Sequence, residues 1–121
     1  DVGLLGAMAR LKTTTVISGN DIFTEFKGAL TEQYVMQQLL LSYEPYYFSK
    51  PKSTQEIDFL IEDEEGEMIP IEVKAETNVK AKSLRQFVED NHPQAAYRIS
   101  MNDYRPEDWV TNIPLWAAES L

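Results

Sequence analysis

The sequence predicts an α/β domain in which helices flank a mixed central β-sheet. Three observations predict it. A helical apolar stripe runs from about residue 21 to residue 42. Two β-type runs, Glu56 to Glu62 and Met68 to Lys74, enclose an acidic turn at Asp63–Gly66. A second helical stripe then leads into a further β-type run at Ala95 to Ser100. With 121 residues there is room for one hydrophobic core and not two, so residues 1–121 are read as a single domain.

Asp1 to Leu11 places Val2, Leu5, Met8 and Ala9 at helical spacing, with Asp1 available as a cap. Lys12 to Gly19 is Thr-rich and reads as a connection. In the long helix Phe23, Phe26, Leu30 and Tyr34 form one stripe, and Val35, Met36, Leu39 and Leu40 widen it. Asn20 or Asp21 can cap its start, and Pro45 stops it downstream. Tyr46, Tyr47 and Phe48 predict a short strand. Ser83 opens the next helix, with Gln86 three residues on to complete a capping box; Leu84, Phe87 and Val88 supply its apolar side. From Met101 the tail reads as irregular until Leu115 to Leu121, where Pro114 precedes a final helical turn or two.

The hairpin carries the chemistry. Centring its turn near Glu65 pairs Ile57 with Val73, Phe59 with Ile71 and Ile61 with Ile69, so these six are expected to share one core face. The same register sets Asp58 opposite Glu72 and Glu56 opposite Lys74 on the other face, together with Leu60 and Pro70. Directly opposed carboxylates have Cβ atoms about 5 Å apart and repel without a cation. A Mg²⁺ ion, or Mn²⁺ as its substitute, answers that repulsion, because it takes oxygen ligands and often only one or two carboxylates. Lys74, two residues from Glu72, points the same way and can hold an attacking water or a phosphate. The plainer reading is a solvated sheet face on which Lys74 pairs with Glu56.

A third acid lies in the long helix. Glu32 lines up with Gly28, Val35, Met36 and Leu39, where a carboxylate is costly unless paired or bound to a cation. Gly28, one turn earlier, permits a close backbone approach. The plainer reading is an acid at the edge of the stripe, reaching water or a lysine.

Glu32 on the first core helix, Asp58 on one strand and Glu72-Val73-Lys74 on the next together resemble the PD-(D/E)xK superfamily, the restriction-endonuclease-like fold. The helix at Ser83 to Asn91 and the strand at Ala95 to Ser100 match its core order. The proline of the superfamily's name is absent, since Ile57 precedes Asp58. A narrower likeness rests on Asp1-Val2-Gly3-Leu4-Leu5, Gly28-Ala29-Leu30-Thr31-Glu32, Glu56-Ile57-Asp58-Phe59 and Pro70-Ile71-Glu72-Val73-Lys74 with Lys82-Ser83-Leu84. In these the chain resembles the uncharacterised C-terminal domain that follows an AAA+ ATPase module in bacterial and archaeal proteins. The resemblance implies an ATPase module in cis. This chain carries no Gly-x-x-x-x-Gly-Lys-Ser/Thr loop and begins with Asp1 rather than Met, as expected of a fragment of that larger protein.

The resulting expectation is a Mg²⁺-dependent DNA phosphodiesterase. Asp58 and Glu72 hold the metal with the backbone carbonyl of Val73, Lys74 assists the water or the transition state, and Glu32 binds a second ion or orients a water. Lys50, Lys52, Lys80, Lys82 and Arg85 guide phosphates if folding gathers them. Gln55 and Arg85 are further candidates for accessory contacts. The alternative is a non-catalytic DNA-binding or regulatory module of the ATPase with the same fold, and a purely protein-interaction domain is a third.

Composition sets limits. The net charge of −9 argues against nucleic-acid binding by bulk electrostatics, although a local basic group at Lys74, Lys80, Lys82 and Arg85 can still form one basic face. The acids Glu62, Asp63, Glu64, Glu65 and Glu67 read as a solvated hairpin tip. The absence of cysteine excludes disulfide and thiolate chemistry and makes a cytoplasmic location the default. No apolar run is long enough to span a membrane, and none reads as a secretory signal. His92 suits a helix C-terminus better than a metal site, having no second His or Cys to share it. Thr13, Thr14 and Thr15 have no adjacent base. Tyr43, Tyr46, Tyr47 and Phe48 can stack on bases, but such aromatics more often pack in cores; Trp109 and Trp116 read as anchors of the tail.

Overall fold

The computed structural model describes residues 21–75 and 80–121. The helix expected at Asp1–Leu11 and the Thr-rich connection lie outside the described residues. Helix α1 spans Asp21–Leu39, followed by strands β1 (Tyr46–Ser49), β2 (Glu56–Glu62) and β3 (Met68–Lys74). Helix α2 (Lys82–Asn91) leads to β4 (Tyr97–Ser100), β5 (Arg105–Pro106), β6 (Thr111–Pro114) and a terminal 3₁₀ helix, Leu115–Ser120. The six strands form one mixed sheet in the order β1-β2-β3-β4-β6-β5. The β1–β2, β2–β3 and β5–β6 pairs are antiparallel, while β3–β4 and β4–β6 are parallel. The α2 crossover makes the parallel β3–β4 pair possible, since parallel strands cannot be joined by a tight turn.

Near the turn the hairpin register is the expected one, Phe59 pairing with Ile71, Ile61 with Ile69 and Glu62 with Met68. The expected pairs Ile57–Val73, Asp58–Glu72 and Glu56–Lys74 do not form, because Glu56 and Ile57 pair with β1, and Glu72, Val73 and Lys74 with β4. The acidic tip closes on Asp63, whose Oδ1 accepts from the N–H groups of Glu65 and Glu67. Gly66, at φ 85°, takes the left-handed conformation that the turn requires.

Both faces of the sheet are covered. On one, Val35 and Leu39 of α1 and Ala118 of the 3₁₀ helix pack with Ile61, Ile71, Val73 and Ile99. On the other, Leu84 and Phe87 of α2 pack with Leu60, Ala96 and Val110. Leu60, expected on the charged face of the hairpin, is covered by α2. Ile57 departs from expectation. It packs in this second cluster and not with Phe59 and Ile61. The cause is an irregularity in the β1–β2 ladder, where two steps from Tyr46 to Phe48 oppose three from Leu60 to Ile57. An extra residue in β2 interrupts the alternation between Ile57 and Leu60.

Three further expectations are corrected. Helix α2 begins one residue early, with Ala81 at its N-cap and no side-chain cap; Gln86 instead donates to Asp90, at 2.9 Å, so the capping box does not form. The tail after Met101 is not irregular, since β5 and β6 extend the sheet there. A Cβ at Gly28 would meet no atom within 4 Å, so that glycine marks no close approach. Helix α2 does end at His92, in the left-handed conformation, with its N–H bonded to the Val88 carbonyl.

Strand β6 is held by a buried polar network. The Asn112 Oδ1 accepts from Arg98 Nε at 3.2 Å and from Ser100 Oγ at 2.7 Å, and its Nδ2 donates to the carbonyls of Asn102 and Asp103. Arg98 also donates through Nη2 to Glu107 at 2.7 Å. These bonds satisfy polar groups that burial would otherwise leave destabilising, and they tie the β4–β5 connection to the sheet.

Candidate active site

The carboxylates gather where the sheet divides. The β2–β3 ladder runs as far as the Phe59–Ile71 pair. Past that point Glu56 and Ile57 pair with β1, while Glu72, Val73 and Lys74 pair with β4. Asp58 bridges the split: its Oδ2 accepts from the Val73 N–H at 2.7 Å. A short acidic side chain here takes the place of a backbone acceptor, which explains why the ladder can open without leaving an amide unpaired.

Glu72 is buried, at 6% exposure, although it is an acid. One oxygen, Oε1, pairs with the Lys74 ammonium, and the other, Oε2, is buried with no hydrogen-bond partner among the described residues. Burial raises the Glu72 carboxyl above its ordinary value, Lys74 opposes the rise, and Asp58 and Glu32 add to it. Asp58 is raised as well, chiefly by burial; the Val73 N–H and Lys74 pull it back, and Glu56 pushes it up. Lys74 pairs with Glu72, two residues away on its own strand, and Glu56 is exposed.

Glu32 reaches the same electrostatic neighbourhood from α1. It is exposed, on the row with Met36, while Thr31, Val35 and Leu39 form the adjacent buried row. The expectation that it shares an apolar helix side is therefore only half right. Desolvation raises its carboxyl, Asp58 adds to the rise, and Lys74 lowers it. The structure thus brings Glu32, Asp58, Glu72 and Lys74 within electrostatic reach of one another. Among the described residues, no three His, Cys, Asp or Glu side chains converge as a ready-made metal cluster.

One residue at this site was not singled out as part of it. Tyr47 on β1 is 64% exposed, and its hydroxyl lies near the Glu56 carboxylate. Desolvation, Glu56, Asp58 and Glu32 together raise that hydroxyl above the ordinary phenol range. Strand alternation separates Tyr47 from Tyr46 and Phe48, which was the signal available for it. Of the other aromatics, Phe48 packs edge-on against Phe87, and Tyr43 donates to the Leu121 carbonyl at 2.7 Å.

The basic residues do not all meet. Lys50 and Lys82 line one cleft, whereas Arg85 pairs with Glu89 and lies over the Trp109 ring at 5.7 Å.

The donors present fit a hard divalent cation. They are carboxylate oxygens, one of them buried and unsatisfied, in a setting where like charges raise each other's proton affinity. This group of carboxylates lies where two strands of an acidic α/β domain part. Comparison with known families places the domain: residues 27–118 match the family described as Domain of unknown function (DUF4143), and the chain belongs to that family. No curated protein and no solved structure matches the chain. Among the described residues no helix is long and apolar enough to cross a membrane.

Proposed function

We propose that this chain is a Mg²⁺-dependent nuclease-like domain of the PD-(D/E)xK type, with a restriction-endonuclease-like core, acting on DNA. The observation that carries the reading is the pairing of Asp58, anchored to the Val73 N–H, with a buried Glu72 that has one oxygen without a partner among the described residues. Asp58, Glu72 and the Val73 carbonyl would hold the ion, and Glu32 would bind a second one or orient a water. Such an ion supplies a water of lowered pKa and a positive charge at the phosphoryl oxygens.

The chain's own residues do the rest. The Lys74 ammonium, held against Glu72 and partly exposed, is placed to orient the attacking water or to neutralise charge developing on the phosphate. Asp58 fixes the spacing of β2 from β3, and so the placement of Glu72 and Lys74. Tyr47 stands at the open side of the acids, where its ring can lie against a nucleotide. An ATPase module in cis would supply the larger protein context.

The test is cleavage of a DNA duplex with Mg²⁺ or Mn²⁺ by the parent chain and by Lys74→Ala. Loss of cleavage with an unchanged circular-dichroism spectrum supports the mechanism; a variant that cuts as fast as the parent rules it out. The net charge of −9 favours a second reading, a non-catalytic regulatory or protein-interaction module of the same fold. Calorimetric titration with Mn²⁺ separates the two, because that module has no need to bind the ion.

A further inference from the structure

We infer that the cleft between the β1–β2 connection and the start of α2 is a phosphate-binding site. It has a volume of about 480 Å³ and is lined by Lys50, Ser53, Gln55, Lys82 and Ser83, among others.

The start of α2 is built unlike an ordinary helix start. The N–H groups of Lys82, Ser83 and Leu84 have no acceptor within the helix, the N-cap Ala81 has no side-chain oxygen to cap them, and the first turn contains no acid. Lys82 instead sets positive charge against the positive end of the helix dipole, an arrangement that an anion would relieve.

Gln55 is the second, independent observation. It is only 7% exposed, yet its side-chain amide has no partner among the described residues. Neither of its polar side-chain atoms belongs with the sealed, unsatisfied ones, so the amide opens on the cleft. Facing the cleft, its Nε2 offers a donor that a ligand there can take up. An oxyanion accepts from that Nε2 and from the helix N–H groups together. Two lysines and one acid line the cleft; Asp90 lies 3.8 Å from Lys50, and the local balance is positive in a chain of net charge −9.

The cleft sits at the same end of the sheet as the acids, since Gln55 immediately precedes β2 and α2 follows β3. A nucleic-acid strand whose scissile phosphate lay at Asp58 and Glu72 could place a neighbouring phosphate here. That source of the phosphate rests on the nuclease reading; the anion site itself does not.

The experiment is a ¹⁵N NMR titration of the whole chain with inorganic phosphate, without divalent ions, in the parent and in Gln55→Leu and Lys82→Ser. Saturable shifts of the amides of residues 82–84 and of the Gln55 side chain are expected, with affinity about tenfold weaker in each variant. No saturable shift at those amides, or an affinity in both variants equal to the parent's, overturns the site. Lys82→Ser changes an exposed residue and keeps the test valid if Gln55→Leu does not fold. Duplex DNA binding is then measured by fluorescence anisotropy in a Lys74→Ala background, which cannot cleave. Weaker DNA binding on adding Lys82→Ser assigns the phosphate to nucleic acid; unchanged DNA binding beside weakened phosphate binding overturns that source. Loss of nuclease activity alone changes neither result.

Discussion

Asp58 accepts the Val73 N–H at 2.7 Å, and this one bond spans the point where β2 turns to β1 and β3 turns to β4. The bond has a testable consequence. Asp58→Ala should destabilise the chain by about 1–3 kcal/mol, because a partly buried amide loses its acceptor. Asp58→Asn retains an acceptor oxygen and removes a desolvated charge, so it should be as stable as the parent or more so without metal. Urea denaturation of the three proteins checks the order.

Stability should fall as pH rises through the carboxyl range at this site. Asp58 and Glu72 both bind protons more tightly in the folded chain than in the unfolded one, so unfolding releases protons and high pH favours it. The stabilisation grows as pH drops through the raised values and is complete below the ordinary ones, 3.8 and 4.5. Comparing the pH dependence of parent and Glu72→Gln isolates the effect from that of other acids. A steeper acid-side gain in the variant than in the parent would contradict it.

Divalent ions should reverse that dependence. Mn²⁺ at about 100 times its Kd should add roughly 2.7 kcal/mol to the stability at neutral pH. The gain should vanish in Asp58→Asn and Glu72→Gln. Thermal melts with and without the ion, in chelator-treated samples, make the measurement.

The network on β6 predicts a loss unrelated to the acids. Asn112 is 1% exposed and satisfies four partners. Asn112→Ala should cost about 2–4 kcal/mol, and hydrogen exchange should speed up first in residues 101–110, which that side chain ties down.

Much of the fold was legible because its signals are local. The β-branched alternation of Ile57 to Ile61 and Ile69 to Val73, with a Gly-containing acidic turn between them, placed the hairpin and its register beside the turn. Glu72 and Lys74 follow from strand period alone, and Glu32 from helical spacing. The missing strands had weak local signals. Thr111–Pro114 is four residues with an Asn and a Pro, and it becomes a strand through parallel pairing with β4 and the Asn112 bonds. The Ser83–Gln86 spacing of a capping box was present, yet Gln86 bonds to Asp90 one turn on.

Sequence by itself determined the order of elements from α1 to β4, the hairpin register beside its turn and which charged residues were candidates, since side-chain period and turn chemistry act over a few residues. Only the tertiary structure decided that β2 and β3 part at Asp58, that Ile57 turns to the α2 face, and that Gln55 and Glu72 are buried. Those outcomes depend on which strand competes for each backbone amide and on what packs over each face. Such competition joins residues far apart in the chain, and no local pattern encodes its winner.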